Sequence, residues 1–528
     1  GGVNMCGGGV KGLLLWAVVL LATLLAYNVV DKVYLHVPAH QDKDVLRDLH
    51  IPAVDGAHIA EVTRQALSHK TVTLGPKRKE IFEEFHEWLR QTFPVLHSRL
   101  EVEKPHNHSL IFVWRGEPGD GPTLAPILLM AHMDVVPVAE ETLHQWDGSP
   151  WGEIKDGWLY GRGSLDDKFQ VVTLLYATEV LLKEGFTPKR DIYIALGDDE
   201  EHGGAGAAFM AKLFAERGIH FAMALDEGGV ISEGVTPRPA AVVALGEKGL
   251  GTIKVTATAN GGHAGMPNPE TAPGFLARAI RILEKNPPPS RLHPLMRSFF
   301  ESMSPEFSLP KQILTTNLWL TEPLVVWTLQ SSSSLGATTR STIAPVKLSS
   351  GTAANALPQT AYAIYNARPM EPDTVEDVVR YMNAMFRRYG ISHAVQAQLT
   401  THEDGNYHLT PTEPPKSTLP NSDAFRFVSA AIHRLTNSTV AVSPYLLPAM
   451  TDSRHYRLVA DSIVRFCPMR VTPELVSTLH NANERIRVDN LKEIVEWFLI
   501  LIKGSDRLGT PASNPGPPTV ETMRATDL

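Results

Sequence analysis

Histidine and carboxylate side chains recur in this sequence at places where a fold could gather them. They stand in Ala131-His132-Met133-Asp134, in Gly161-Arg162-Gly163-Ser164-Leu165-Asp166-Asp167-Lys168, in Asp199-Glu200-Glu201, in Asp226-Glu227-Gly228, and far downstream at His480. Imidazole and carboxylate are the ligands that borderline-hard divalent cations prefer. Thiolate does not compete, because Cys6 and Cys467 are the only cysteines in 528 residues and Cys6 precedes the first apolar segment. One thiol in the folded portion is too few for an internal disulfide or a metal–thiolate site.

His132 and Asp134 are two positions apart beyond a short apolar run, so a continuing extended backbone turns both to one side. A histidine that binds metal needs an acceptor for its other ring nitrogen, and a carboxylate supplies one. Taken alone, the pair is weak, and a structural histidine is the favoured reading. Gly161 and Gly163 permit a turn that larger residues resist, and Asp166 follows. Its two oxygens can bridge two cations, as an imidazole cannot. Asp167 fits a helix start favoured by the dipole, and the plain alternative for the whole cluster is a solvated loop. Glu200 and Glu201 repel unless cations or a shared proton intervene. On an extended backbone they face opposite sides, giving one a metal to bind and the other a water to meet, the division that metal-assisted hydrolysis requires. A solvated acidic turn is the other reading. Asp226 closes the apolar run Phe221-Ala222-Met223-Ala224-Leu225, where a carboxylate without a partner is costly to bury, so a ligand role is favoured.

The surrounding pattern is α/β. Amphipathic spacing predicts helices over His58 to Ser68 and Lys79 to Thr92, the latter with Phe82, Phe85 and Leu89 on one face. Strands at Ile127 to Met130, Asp191 to Leu196 and His220 to Leu225 alternate with a helix over Phe169 to Leu182, a rhythm that predicts a mostly parallel, doubly covered sheet. The character changes after Glu247-Lys248-Gly249. Strand-like Thr252 to Ala259, a helix near Ala272 to Glu284, strand-like Ala361 to Ala367 and a helix over Thr374 to Tyr389 read as an inserted second domain. The expected organisation is an N-terminal segment over 1–32, a stalk over 33–57, a catalytic domain in two parts over 58–247 and 401–503, an inserted α+β domain over 248–400, and a disordered Pro-, Gly- and Ser-rich tail over 504–528.

Composition bounds the partners. The chain is 43% hydrophobic and 20% charged, as globular proteins are, and its net charge of −8 gives no electrostatic footprint for nucleic acid. Gly12 to Val30 is almost wholly apolar, long enough to span a bilayer and without a good cleavage site. An uncleaved single-pass anchor is expected, with the body in a lumen or outside the cell; a cleaved signal and a secreted protein are the alternative. The sequons Asn107-His108-Ser109 and Asn437-Ser438-Thr439 suit such a location.

In order and spacing, these clusters resemble the zinc-dependent aminoacylase and carboxypeptidase family, nearest to its carboxypeptidase S and N-fatty-acyl-amino-acid synthase/hydrolase branches. The similarity runs from about Val62 to Ile502 and includes Lys70-Thr71-Val72-Thr73, Asn317-Leu318-Trp319-Leu320-Thr321-Glu322-Pro323-Leu324 and Thr451-Asp452-Ser453-Arg454. The resemblance implies a zinc-peptidase-like catalytic domain interrupted by a lid or dimerisation domain, with two zinc ions per subunit. His132 and Asp226 would bind one ion, Glu201 and His480 the other, and Asp166 would bridge. It implies Glu200 as general base, Asp134 as the carboxylate behind His132, and His263 as a histidine that the second domain offers to substrate, often across a homodimer. Asn355, Arg368 and Arg454 would hold the substrate carboxylate or the developing oxyanion. Asp198 stands where relatives often have histidine and Gly265 where serine is common, and neither removes a ligand.

The implied reaction is hydrolysis, reversible in principle, of an amide whose leaving group is an amino acid with a free carboxylate. The substrate would be a peptide C-terminus or an N-acyl amino acid. Dipeptidase and aminoacylase activities share that chemistry; an aminopeptidase would need an unpaired carboxylate for the free amine, and a non-catalytic binding protein would be expected to lack ligands that are all present. The apolar stretch Ile313 to Leu329 is expected inside the second domain, either as core or interface, or as part of a trough for an acyl chain.

Overall fold

The apolar runs of the first half become strands buried on both faces. In the computed structural model, which describes residues 7–35, 45–74, 77–117, 123–400 and 411–509, Ile127–His132 pairs in parallel with Ile192–Gly197 on one side and Met223–Asp226 on the other. Ile463–Arg465 adds a further parallel strand beside Met223–Asp226. Antiparallel strands flank this centre, including Glu101–His106 and Ser109–Trp114 at one edge, and Ala441–Leu447 runs parallel to Ala240–Glu247 toward the other. The result is a ten-stranded, mostly parallel sheet. Its parallel strands send their C-terminal ends to one rim, where an open α/β sheet presents ligand-binding groups.

Both faces are covered, which explains why the central strands read as continuous apolar runs. Helix Lys168–Lys183 lies against one face, with Gly56–Ser68 and Val488–Lys503 packed on it and Asp423–Thr436 beside the latter. Asp55 caps Gly56–Ser68, its Oδ1 accepting the Ala57 N–H at 2.9 Å. Helix Ala205–Glu216 covers the other face, burying Met210 and Phe214 against Ile111, Leu128 and Tyr193.

The inserted domain has its own core. Four antiparallel strands, in the order Thr342–Ser350, Thr360–Arg368, Gly251–Thr258 and Val395–Leu399, carry helices Ala272–Lys285 and Val375–Arg388. Thr374 and Asp377 form a reciprocal capping box at the start of the second helix. Among the described residues, the outer strand Thr342–Ser350 has one edge without a strand partner, and Val346 and Leu348 on it are exposed.

Three expected boundaries move. The expected second domain, 248–400, also encloses helices Pro294–Met303, Leu309–Thr316 and Leu318–Leu329. Leu295, Met296, Phe300, Leu318, Val325, Val326 and Leu329 nevertheless bury into the core of the catalytic domain, with Pro294–Met303 lying on strand Ala441–Leu447. The apolar stretch Ile313 to Leu329 is therefore not second-domain core, and Trp319 faces outward rather than lining a trough (58% exposed). Within the expected stalk, 36–44 lie outside the described residues, but 45–49 are tied to the body: Leu46 is fully buried, and Asp48 and the Leu49 carbonyl accept hydrogen bonds from Arg507 and Arg434. Finally, the first residues of the expected tail are packed, since Ser505–Arg507 forms a helical turn and Arg190 donates to the Leu508 carbonyl. Long-range polar contacts, invisible in local composition, hold both ends down. The remainder of that tail, 510–528, lies outside the described residues.

Candidate metal centre

Four acidic or histidine clusters converge at the C-terminal rim of the parallel strands. His132 is the last residue of its strand and pairs with Gly197, after which the chain turns through Asp199 into the short turn Glu200–His202. Gly197 and Gly204 are required there: a Cβ would meet Asp452 Oδ2 at 2.5 Å on the first and Asp452 Oδ1 at 2.0 Å on the second. Asp166 enters from the loop ahead of helix Lys168–Lys183. That loop is fixed by Glu484, whose Oε1 accepts the Gly163 and Leu165 N–H groups at 2.9 Å each and whose other oxygen pairs with Arg162. His480 arrives from downstream with φ of +57°, a left-handed conformation uncommon for a side-chain-bearing residue and frequent where function holds one in place.

The donor atoms form two groups that share one carboxylate. His132 Nε2 lies 2.8 Å from Asp166 Oδ1 and 3.3 Å from Glu227 Oε1. His480 Nε2 lies 2.8 Å from Asp166 Oδ2 and 3.3 Å from Glu201 Oε1. Within each group, one donor atom per residue lies within 4.8 Å of the others, the spacing of ligands around a cation. The ring of His132 is oriented from behind, its Nδ1 standing 3.2 Å from Asp134 Oδ1 and 3.1 Å from the Asp134 carbonyl. With Nδ1–H donated to Asp134, Nε2 is left to bind metal. Asp134 is fully buried and also accepts from Thr73 Oγ1 at 2.6 Å and from the Glu200 and Glu201 N–H groups. One buried carboxylate thus fixes the His132 ring and the Glu200 turn together.

One expected ligand does not join the group. Asp226 Oδ2 instead accepts the Ser453 N–H at 2.9 Å, and the carboxylate beside His132 belongs to Glu227. Asp226 is still within the strand, paired with Arg465, so its side chain and that of the next residue leave in opposite directions. The sequence carried the signal in Asp226-Glu227-Gly228, but choosing between adjacent carboxylates needs the strand's last residue. Of the other expected residues, Arg454 is buried with Nη1 3.7 Å from Glu200 Oε1 and Nη2 donating to the Gly203 carbonyl at 2.9 Å. Arg368, at the end of its strand in the inserted domain, lies close enough for its charge to act on Arg454, Glu200 and Glu247. His263 and Asn355 sit together on a small ribbon, where the Ala264 N–H donates to the Asn355 carbonyl at 3.0 Å and the Gly265 N–H to His263 Nδ1 at 3.0 Å. Both are exposed, and these polar contacts are local.

The centre is strongly anionic. Burial and the Asp166 carboxylate push Glu227 up to about 8, and burial raises Glu200 well above the carboxylate range against the His132 charge. Hydrogen bonds that its ring donates to Asp166 and Glu201 push His480 up to about 10. Asp166, Glu201 and Glu227 bring their oxygens together here around two imidazoles. Converging buried carboxylates are costly unless cations enter, so the donor set fits divalent ions. A thiolate takes no part, because burial pushes the Cys467 thiol well up.

Two residues that the sequence reading passed over steady this site. Glu247 pairs with Arg465 Nη2 at 2.7 Å, both fully buried, and its other oxygen accepts the Thr451 N–H at 2.9 Å, holding the turn that carries Arg454. Lys248, where the chain leaves for the inserted domain, donates to the Ala337 and Arg340 carbonyls and Thr342 Oγ1, where it returns. Burial lowers this amine to about 7.

Residues 128–504, which hold every one of these donors, match the model of peptidase family M20/M25/M40. The chain belongs to that family. It is 34% identical over 461 residues to a protein of Dictyostelium discoideum described as a probable carboxypeptidase S-like 2, covering 85% of each chain. It is 32% identical over 474 residues to an N-fatty-acyl-amino acid synthase/hydrolase of Xenopus tropicalis, covering 88% of each. Carboxypeptidase S of Saccharomyces cerevisiae is 29% identical over 440 residues, covering 77% of this chain and 76% of that one. Among solved structures, the fold resembles an M20 metallo-carboxypeptidase of Sulfolobus solfataricus, with TM-score 0.59 at 15% identity over 85% of this chain and 99% of that one. M20 peptidases are metal-dependent hydrolases, and the chain is an enzyme of that class.

Proposed function

We propose that this M20 enzyme is a dizinc hydrolase that cleaves the amide of a C-terminal amino acid, either at the end of a peptide or in an N-acyl amino acid. The observation that carries this reading is the pair of donor groups, His132–Asp166–Glu227 and His480–Asp166–Glu201, joined through Asp166 with Glu200 and Arg454 alongside. Two zinc ions held there would lower the pKa of a shared water and polarise the scissile carbonyl. Glu200, whose carboxyl burial keeps high, takes the proton from the attacking water and returns it to the leaving nitrogen. Asp134 keeps His132 in the tautomer that leaves Nε2 free. Arg368 offers a planar fork of donors suited to the free carboxylate of the leaving amino acid. Arg454 is already engaged with Thr451 and Gly203 and holds the Glu200 side of the site.

His263 and Asn355 meet substrate, in this reading, as parts of a partner subunit. The open edge of Thr342–Ser350, with exposed Val346 and Leu348, offers the pairing surface for such a homodimer. The Trp16–Leu35 stretch, 20 residues long and apolar enough to cross a membrane, serves as the anchor. The deciding experiment replaces Glu200 by Gln and compares metal content with turnover of N-acyl amino acids and free dipeptides. Full metal with turnover lower by roughly two to four decades is expected for a missing acid–base group. Unchanged turnover would remove Glu200 from the mechanism, and preference for free dipeptides would move the enzyme to a dipeptidase.

A further inference from the structure

Helix Leu318–Leu329 is apolar on two opposite faces. Leu318, Val325, Val326 and Leu329 bury into the core, while Trp319, Leu320, Leu324 and Trp327 are exposed on the other side, the last at 71%. A solvated surface helix turns charge outward instead. The helix has a single charged residue, Glu322, and it is turned toward Arg297 and the Leu292 N–H. The exposed face therefore carries no charge at all. Scattered apolar residues on a surface are ordinary, but two indoles and two leucines on successive turns of one helix mark a surface made to be covered.

What covers it is indicated by its neighbour. The N-terminal helix Gly7–Val29 packs by its last turns on this same region: Asn28 donates to Asn317 Oδ1 at 2.7 Å, Asn317 Nδ2 donates to the Leu25 carbonyl at 3.3 Å, and Val29 and Val33 are buried. Lys32 follows, 3.7 Å from Glu301. The rest of the N-terminal helix, from Trp16 to Leu24, stands free of the body, with Trp16 and Leu20 each 72% exposed. At about 1.5 Å per residue, Leu25 and Asn28 lie roughly 6–10 Å along the span from Lys32, the depth of a headgroup and acyl-chain boundary. Tryptophan is enriched at that depth, and a paired amide is the form in which asparagine is tolerated there.

We propose that helix Leu318–Leu329 is a second membrane element, embedded at the headgroup–acyl boundary through Trp319, Leu320, Leu324 and Trp327 beside the N-terminal span. This rests on reading Trp16–Leu35 as an anchor. The body is then held to the bilayer at two places and cannot swivel about a single helix. Asn317 is the pin between them.

The test uses the full chain reconstituted into phosphatidylcholine vesicles with plain or brominated acyl chains, bromine quenching tryptophan emission only on contact. Trp16→Phe is compared with the double variant Trp319→Phe/Trp327→Phe; none of these residues belongs to the metal centre, so turnover should stay at the parent level in each. All forms should float with the vesicles, each variant should lose a separate share of the bromine-dependent quenching, and the double variant should lose the larger share. Flotation with quenching that vanishes in Trp16→Phe alone would overturn the second element while leaving the anchor standing. Failure of the parent chain to float would overturn the anchor and the proposal with it. A dimer-sized particle in which Trp319 and Trp327 are unquenched would assign the face to a second copy of the chain, and that result also overturns it.

Discussion

Exchanging Glu227 for Gln should empty one metal position, while exchanging Asp226 for Asn should leave both filled. Glu227 is one of three donors in its group, with His132 and Asp166, and an amide is a poor ligand where a carboxylate stood. If the roughly 10–16 kcal/mol of a four-ligand zinc site is shared about equally, losing one ligand costs about 3 kcal/mol, or about two decades in affinity. Asp226→Asn keeps an oxygen for the Ser453 N–H, and exchanging a charged for a neutral acceptor costs about 1 kcal/mol of stability. The assay is competition of the purified variants against a graded chelator series, with residual metal counted by elemental analysis. Glu227→Gln should retain one ion where the parent retains two, and Asp226→Asn should follow the parent curve with a slightly lower melting temperature. Loss of an ion from Asp226→Asn together with full loading of Glu227→Gln would refute the strand-end argument and restore the assignment read from sequence.

Metal binding should also release protons. His480 holds its proton up to about pH 10 among the protein's own charges, and Asp166 and Glu201 are what hold it there. A ligand nitrogen must lose that proton, so below about pH 10 affinity should fall about tenfold per pH unit for each proton displaced, and calorimetry in buffers of different ionisation enthalpy reads the number. Without metal the sign reverses: the His480 contribution to stability is complete below about pH 6.5 and disappears as pH rises through about 10, which thermal melts of the chelated enzyme test. Arg465→Met should lower stability by about 3–5 kcal/mol because Glu247 is left buried without its partner, as read by urea unfolding. Val346→Lys with Leu348→Lys should give a monomer with full metal and little turnover; an active monomer would place His263 and Asn355 outside the reaction. Asn107 and Asn437 are both exposed, in turns with positive φ, so a lumenal body should show two glycosidase-sensitive mobility shifts, each lost on change to Gln.

Most of the site was legible because its residues close apolar runs. His132 ends a strand buried on both faces and the Glu200 turn follows another, and period and length are enough to find such strands. Asp226 shows the limit: two adjacent carboxylates differ only in which side of a strand end they leave, and the strand's last residue is set by pairing with Arg465, a residue 239 positions away by their numbers. Ile313 to Leu329 fails for a related reason. Its apolar content was plain, but a helix apolar on both faces has no period to say which side is core, and its tie to strand Ala441–Leu447 through helix Pro294–Met303 is a long-range contact. Glu247 and Arg465 were silent as well, because a buried ion pair has no local signature.

On the proposed function, the same geometry separates metal loading from substrate recognition. All donors and the Asp134 support come from the catalytic domain, whereas Arg368, His263 and Asn355 come from the inserted domain, which has its own core. The two parts meet through Lys248, which ties the outgoing strand to the returning one, and through the charge of Arg368 acting on Glu200 and Arg454. A change in the inserted domain that leaves its core intact should therefore alter turnover without altering metal content, while changes at the rim should alter both. Lys248→Met falls on the boundary. It removes an amine that burial already lowers to about 7, and leaves the Ala337 and Arg340 carbonyls and the Thr342 hydroxyl without their shared donor. Loosening the return of the chain should displace Arg368 and lower kcat/KM with metal retained. Loss of metal in that variant would mean that the insertion helps to hold the ions, and the division of labour drawn here would fail.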